Sequence, residues 1–257
     1  MTERVAFRHE VKSLISRKHA LQLRTVLRPL LQPDPHAGPD GTYRVRSLYF
    51  DDPRDSALLE KEAGIGIRTK YRIRLYDHDP DTLRLECKGK EGEMVRKRTL
   101  PLARDQALAL LSGEAGLFGL GAAADPAGDG LLWEFLLARH RGLLRPASLV
   151  DYRREAFVHP ATRVRMTLDT ELAAPRPPLE LFDGGLASAT RALPDGSVIL
   201  ELKFDRYVPE SLARLLDRVP KMPMALSKYA LCRRRSEHGI PAWPDTGMEE
   251  RQDRTWT

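Results

Sequence analysis

The chain has 257 residues, with 42 Lys plus Arg against 36 Asp plus Glu and a formal net charge of +6. A chain of this length buries roughly 70% of its unfolded surface, enough for one sizeable core without help from disulfides or metals. Its 30% charged and 42% hydrophobic residues exclude a disordered chain, and no run approaches the roughly 18 uncharged apolar residues of a membrane-spanning helix. The first residues, MTERVAFRHEVK, are charged throughout, which speaks against a secretory signal and for a cytoplasmic protein. Only Cys87 and Cys232 are present, without CxxC or HExxH, so neither a disulfide framework nor a Cys/His zinc site is expected. Arginine dominates the basic residues, 32 to 10. Seven of the ten lysines (Lys12, Lys70, Lys88, Lys90, Lys97, Lys203 and Lys228) fall in or beside segments read below as strands or motif-bearing turns.

Alternation over Val5 to Leu14 predicts a strand, and Ser16 is a good N-cap for an amphipathic helix over Arg17 to Leu31. The turn-rich PDPHAGPDGT leads to a strand over Tyr43 to Phe50. Asp52, Pro53 and Gly64 bracket a short helix. Ile67 to Tyr76, Thr82 to Lys90 and Glu93 to Leu102 alternate and are joined by short turns, as in an antiparallel meander. Helices follow over Arg104 to Leu111 and Leu131 to Arg141, flanking an Ala/Gly-rich loop. Strands are expected at Ser148 to Phe157, Arg163 to Glu171 and Ser197 to Asp205, then a helix near Pro209 to Val219. From Ile240 onward the chain is polar and aperiodic, so residues 1–239 are expected to form one domain and 240–257 a loosely ordered tail. Seven or eight strands without βαβ alternation argue for an α+β protein built on an antiparallel barrel or sheet.

The chemistry concentrates in IRTKYRIRLY. Arg68, Lys70, Arg72 and Arg74 occupy every second position, so in a strand they project from one face. Same-face neighbours roughly 7 Å apart repel by about 2 kcal/mol at an effective dielectric near 20. An exposed strand screened by water and salt would tolerate such a row, but the pattern recurs: Arg44 with Arg46; Arg8, Glu10 and Lys12; Arg84, Glu86 and Lys88; Tyr152 and Arg154; Arg163, Arg165 and Asp169. At least three amphipathic helices need an apolar surface to cover. A barrel with an apolar outside and a charged lumen supplies it, and such a lumen can cradle a polyanion while sparse carboxylates hold a divalent cation.

The segments FRHEVK, YRVRSLYFDD, RTKYRIRLY, LECKGK, DYRREAF, RVRMTLDTEL, ILELKF and LSKY, in that order over residues 7 to 229, resemble the VTC catalytic domain, the polyphosphate polymerase family of the triphosphate tunnel metalloenzymes. The resemblance implies an antiparallel eight-stranded barrel, open as a tunnel, with helices packed outside. It also implies that Lys12, Arg72, Arg74, Lys88, Arg154, Arg165 and Lys228 bind phosphate, with hydroxyl contacts from Tyr152 and Ser227, and that Glu201 binds a catalytic Mn²⁺ or Mg²⁺. Lys97 is assigned to the family's further lysine because Leu100 and Leu102 then face the other way. Lys70 and Arg46 are added as phosphate-binding residues on their strand faces. The related triphosphatase and cyclase branch carries Glu-x-Glu-x-Lys on its first strand, whereas this chain has Arg8, Glu10 and Lys12. Exchanging a carboxylate for Arg8 removes a metal ligand and adds a phosphate ligand, which favours the polymerase branch. Glu10 remains a second candidate metal ligand, although it and Glu86 could equally serve only to neutralise neighbouring cations.

The implied reaction moves the γ-phosphoryl group of ATP onto a growing polyphosphate chain and releases ADP. Positioning and charge stabilisation suffice for such chemistry, consistent with a chain that has no P-loop or GxSxG. The alternatives are a metal-dependent inorganic or nucleoside triphosphatase and a non-catalytic binder of polyphosphate or RNA. With aromatics at 7%, base-stacking platforms are thin and no nucleic-acid partner is expected. Any membrane partner would be a separate polypeptide.

Overall fold

The computed structural model describes residues 9–91, 94–112, 130–175, 181–182, 189–223 and 227–238. In chain order the elements are β1 (His9–Ser16), α1 (Arg17–Leu27), β2 (Gln32–Pro33), β3 (Thr42–Asp51), α2 (Ser56–Glu62), β4 (Ile67–Tyr76), β5 (Asp79–Glu91) and β6 (Met94–Pro101). They continue with α3 (Arg104–Ser112), α4 (Leu131–Gly142), β7 (Arg145–Val158), β8 (Arg165–Ala174), β9 (Thr190–Arg191), β10 (Ser197–Phe204), α5 (Glu210–Asp217), β11 (Met222–Pro223) and α6 (Lys228–His238). All belong to one antiparallel sheet in the order β11-β1-β10-β8-β7-β3-β4-β5-β6, with β2 and β9 paired to β7 and β8. Eight strands are long; β2, β9 and β11 are two-residue pieces. This is the expected α+β fold.

Local chemistry explains several boundaries. The Ser16 side chain accepts a hydrogen bond from the His19 amide and starts α1. Asp77 and His78 both have positive φ, the backbone of a two-residue hairpin whose twist matches its strands, and they join β4 directly to β5. The start of α2 differs from expectation. Asp52 accepts from the Arg54 and Ser56 amides, so its carboxylate builds a turn around Pro53, and the helix begins only at Ser56.

The two faces of the sheet differ sharply. The convex face is apolar: Tyr71, Ile73, Leu75, Leu85 and Leu100 pack under α3 and α4 through Ala107, Leu110, Leu132 and Phe135. Met166, Leu168, Val198 and Leu200 pack under α1 and α5 through Leu23, Leu27, Leu212 and Leu216. Four helices therefore cover the outside, as a charged interior demands. In addition α6 packs on residues of the concave face. Its Leu231 and Cys232 join Val45, Tyr152, Leu172 and Ile199, and its Tyr229 and Ala230 meet Leu58 of α2 beside Tyr49. These residues plug one end of the interior. Among the described residues no ladder joins β6 to β1 or β11, so the sheet curls without hydrogen-bonded closure. None of the described helices is long and apolar enough to cross a membrane.

Candidate functional site

Pairing fixes which side chains share the concave face, because residues opposite one another in an antiparallel ladder point the same way. Tyr49 lies opposite Arg72 and Ser47 opposite Arg74. Arg72 lies opposite Glu86, Lys70 opposite Lys88, and Lys88 opposite Lys97. On the other half Arg154 faces Asp169, Thr167 faces Glu201, Arg165 faces Lys203, Lys203 faces Glu10, and Glu201 faces Lys12. Every candidate site residue on a described strand, except Arg46, thus lies on a single face, and Arg44, read together with Arg46, leaves that face with it. The curl brings the halves together, as Lys88 Nζ on β5 lies 3.7 Å from Glu10 Oε2 on β1.

Three carboxylate-centred clusters organise this face. Glu86, 2% exposed, accepts from Arg72 Nε at 2.7 Å and from Lys97 Nζ at 2.6 Å, with Arg74 at 3.8 Å. Arg72 also donates to the Tyr49 hydroxyl at 2.7 Å, and Arg74 Nε to Ser47 Oγ at 2.9 Å. Burial alone would raise the Glu86 pKa, but Arg72, Arg74 and Lys97 hold it down to about 2. In the second cluster Arg154 clamps Asp169 through two hydrogen bonds of 2.7 and 2.8 Å. Lys228, at the start of α6, reaches Asp169 at 2.7 Å and Glu201 at 3.6 Å. Lys203 holds the other oxygen of Glu201 at 2.6 Å. Arg154 and Lys228 both stand over the Tyr152 ring, at 5.1 and 5.0 Å. Despite burial, Lys203, Lys228, Lys12 and Arg154 push the Glu201 carboxyl far below the usual range. In the third, Glu10 bridges Lys12 at 2.5 Å and Lys88. Desolvation opposes ionisation of Glu10, yet the surrounding lysines lower its pKa.

Three further predicted residues flank these clusters. Arg165 is held by Asp34 at 2.6 Å and by the Tyr43 hydroxyl at 2.8 Å, beyond Arg154 on the same face. Ser227 precedes α6 and accepts the Leu231 amide through its carbonyl, so it stands beside Lys228 at the positive end of the helix. Lys70 has a buried Nζ without a hydrogen-bond partner, 4.8 Å from the Tyr229 ring centroid. Burial lowers its pKa to about 8. Arg8 lies outside the described residues.

Arg46 is the correction. The concave face of β3 carries Tyr43, Val45, Ser47 and Tyr49, whereas Arg46 is opposite Asp151 on the convex face. Arg46 is 1% exposed and donates to Asp151 Oδ2 at 2.7 Å, while Arg44 donates to Oδ1 at 2.8 Å. Two guanidiniums satisfy one fully buried carboxylate, a structural ion pair that points away from Arg72. Alternation alone does not say which side of β3 faces inward, and the expectation for Arg46 follows the cations of the neighbouring strands. Asp169, which alternation places on the face of Arg165, is there, and Lys203, to which the sequence reading gives no site role, joins the face at even spacing from Glu201.

A divalent cation needs hard oxygen donors, and Glu10 and Glu201 are such donors on paired strands, with the Glu201 charge felt at Glu10. The Thr167 hydroxyl, buried and without a hydrogen-bond partner, lies opposite Glu201. Among the described residues no three of His, Cys, Asp and Glu cluster as a protein-only cage. The donor set therefore fits a cation that shares its coordination with phosphate oxygens, the usual situation for Mg²⁺.

The VTC domain family model matches residues 7–235. No curated protein matches the chain. Among solved structures, two proteins named "putative adenylate cyclase" are similar. The Bacillus halodurans one has 14% identity and a TM-score of 0.45 over 84% of this chain and 88% of its own. The Vibrio parahaemolyticus one has 12% identity and a TM-score of 0.40 over 84% and 85%. A conserved hypothetical protein of Pyrococcus furiosus has 10% identity and a TM-score of 0.39 over 82% and 86%.

Proposed function

Because the chain belongs to the VTC domain family, we propose that it is a polyphosphate polymerase, which transfers the γ-phosphoryl group of ATP to the end of a polyphosphate chain and releases ADP. The observation that carries this reading is the gathering of Arg72, Arg74, Lys88, Lys97, Arg154 and Lys228 on one concave face, from strands far apart in sequence. Such a surface suits a linear polyanion. In this reading a terminal phosphate oxygen of the polymer attacks the γ-phosphorus, the bond to the bridging β-γ oxygen breaks, and ADP leaves with that electron pair. Phosphoryl transfer asks mainly for alignment and for charge to be met on non-bridging oxygens. Arg72 and Arg74, already oriented by Glu86, Tyr49 and Ser47, present pre-formed forks to those oxygens. Lys88, with about half its side chain open to solvent, and Lys97 offer rotatable point charges. Arg154 and Lys228 steer the opposite wall. Mn²⁺ or Mg²⁺, held by Glu201 and Glu10, supplies further charge neutralisation when bound.

The same face would serve a triphosphatase with water as acceptor. Incubation with ATP and Mn²⁺ followed by gel analysis separates the two, since long polymer with ADP supports the polymerase and orthophosphate without polymer refutes it. A protein that binds polyphosphate and yields neither product is a non-catalytic binder.

A further inference from the structure

The convex face carries a second basic site. An open cleft of about 770 Å³ lies between α1, the outer faces of β3, β7 and β8, and the 189–198 segment. Among the described residues six arginines line it: Arg17, Arg24, Arg28, Arg44, Arg153 and Arg191. Arg17, Arg24 and Arg28, with Ala20 between them, form one stripe along α1 at the three- and four-residue spacing of a helix face. Four carboxylates of described residues also line the cleft. Glu155 is paired with Arg24, Asp40 with Arg153, Asp195 with Arg191, and Glu171 with Arg44. Arg17 and Arg28, both exposed, have no ion pair among the described residues. Glu171 itself stands at a φ of 55°, a conformation non-glycine residues rarely adopt.

The cleft is separate from the concave face by construction, because neighbouring residues of one strand point to opposite sides. Arg153 opens into the cleft while Arg154 clamps Asp169 inside, and Thr170 lines the cleft while Asp169 faces the interior. Two features specify the ligand. Along the helix, Arg17 and Arg28 are about 16 Å apart at 1.5 Å per residue, so no single phosphate reaches both. No aromatic side chain is among the described lining residues, which offer none of the stacking platforms by which single-stranded nucleic acids are held. Arginine forks suit phosphate oxygens, and the exposed pairs Arg153–Asp40 and Arg191–Asp195 are weak enough for a polyanion to compete with.

We propose that this convex cleft is a second binding site, for an extended inorganic phosphate chain, engaged through Arg17, Arg28 and the paired arginines between them. It goes beyond the catalytic reading and needs no turnover to be tested.

The test is arginine footprinting of the full chain with phenylglyoxal, read by mass spectrometry, with long-chain polyphosphate, with tripolyphosphate, or with polyuridylate of matched phosphate content. The long polymer is expected to protect Arg17 and Arg28 together, and tripolyphosphate to protect Arg72 without slowing modification of that pair. Arg17→Ser/Arg28→Ser should weaken long-polymer binding by at least about tenfold while the circular dichroism spectrum and any ATP turnover stay unchanged. Equal reactivity of Arg17 and Arg28 with and without polyphosphate overturns the proposal, as does equal protection by polyuridylate. Failure of the polymerase assay alone leaves the footprint intact, so the two readings fail separately.

Discussion

Glu86→Gln tests whether the concave face is a set of cations waiting for an anion. The substitution keeps size but removes the charge that Arg72, Lys97 and Arg74 share and turns one of the two accepting oxygens into a donor. Glu86 is almost fully buried, and its carboxyl is held at about 2 instead of its ordinary value of 4.5. That depression corresponds to stability on the order of 3 kcal/mol at neutral pH, within the range for breaking a buried ion pair. Since the folded pKa is the lower one, this stability is fully present above about 4.5 and is lost as pH falls toward 2. Urea denaturation of both proteins should therefore show a gap of about 3 kcal/mol at pH 7 that narrows steadily at acidic pH. Tripolyphosphate should stabilise Glu86→Gln more than the parent, because phosphate oxygens replace the missing carboxylate among the same three cations. A variant within about 0.5 kcal/mol of the parent, or equal stabilisation of both by tripolyphosphate, refutes the reasoning.

Glu201→Gln should cut Mn²⁺-dependent consumption of ATP by about 10²- to 10³-fold while thermal unfolding still shows a cooperative folded state; retained turnover at saturating Mn²⁺ removes Glu201 from cation binding. Lys70 has a lowered folded pKa of about 8, so it loses its proton first in the native state, and stability should rise with pH between about 8 and the ordinary lysine value. Tripolyphosphate affinity, followed by calorimetry, should fall over the same interval in the parent and stay flat in Lys70→Met. Arg46→Met leaves buried Asp151 with Arg44 as its remaining strand partner and should cost about 3–5 kcal/mol. The folded fraction of that variant should bind tripolyphosphate with parental affinity, and weakened binding would return Arg46 to the phosphate site.

Charge at alternate positions made β4 legible to the residue, since IRTKYRIRLY predicts both its limits and its basic face. The same logic picked out Lys12, Lys88, Arg154 and Arg165, and the family resemblance with the register of Leu100 and Leu102 gave Lys97; all share that face. It failed at β3 because both sides of that strand are buried. The arginine side is neutralised by Asp151, a residue 105 positions away from Arg46 whose proximity no local pattern reveals. It failed again at α6, where Tyr229, Ala230, Leu231 and Cys232 are consecutive and all buried. A helix wedged between two packing surfaces loses the one-sided stripe by which helices are recognised. Expected features in residues 1–8, 113–129 and 240–257, Arg8 included, lie outside the described residues.

The placement of α6 has a consequence for how the molecule comes into being. Lys228 lies near the end of the described chain, yet it answers two carboxylates, Asp169 and Glu201, that are enclosed by strands made earlier. The ladder joining His9 to Phe204 likewise spans most of the chain. A ribosome-bound precursor lacking α6 would leave Asp169 to Arg154 and Glu201 to Lys203, with the interior missing its stopper. The contacts of Lys228 with Asp169 and Glu201 therefore form only after residues 228–238 have been made, however early the strands that carry the two carboxylates emerge.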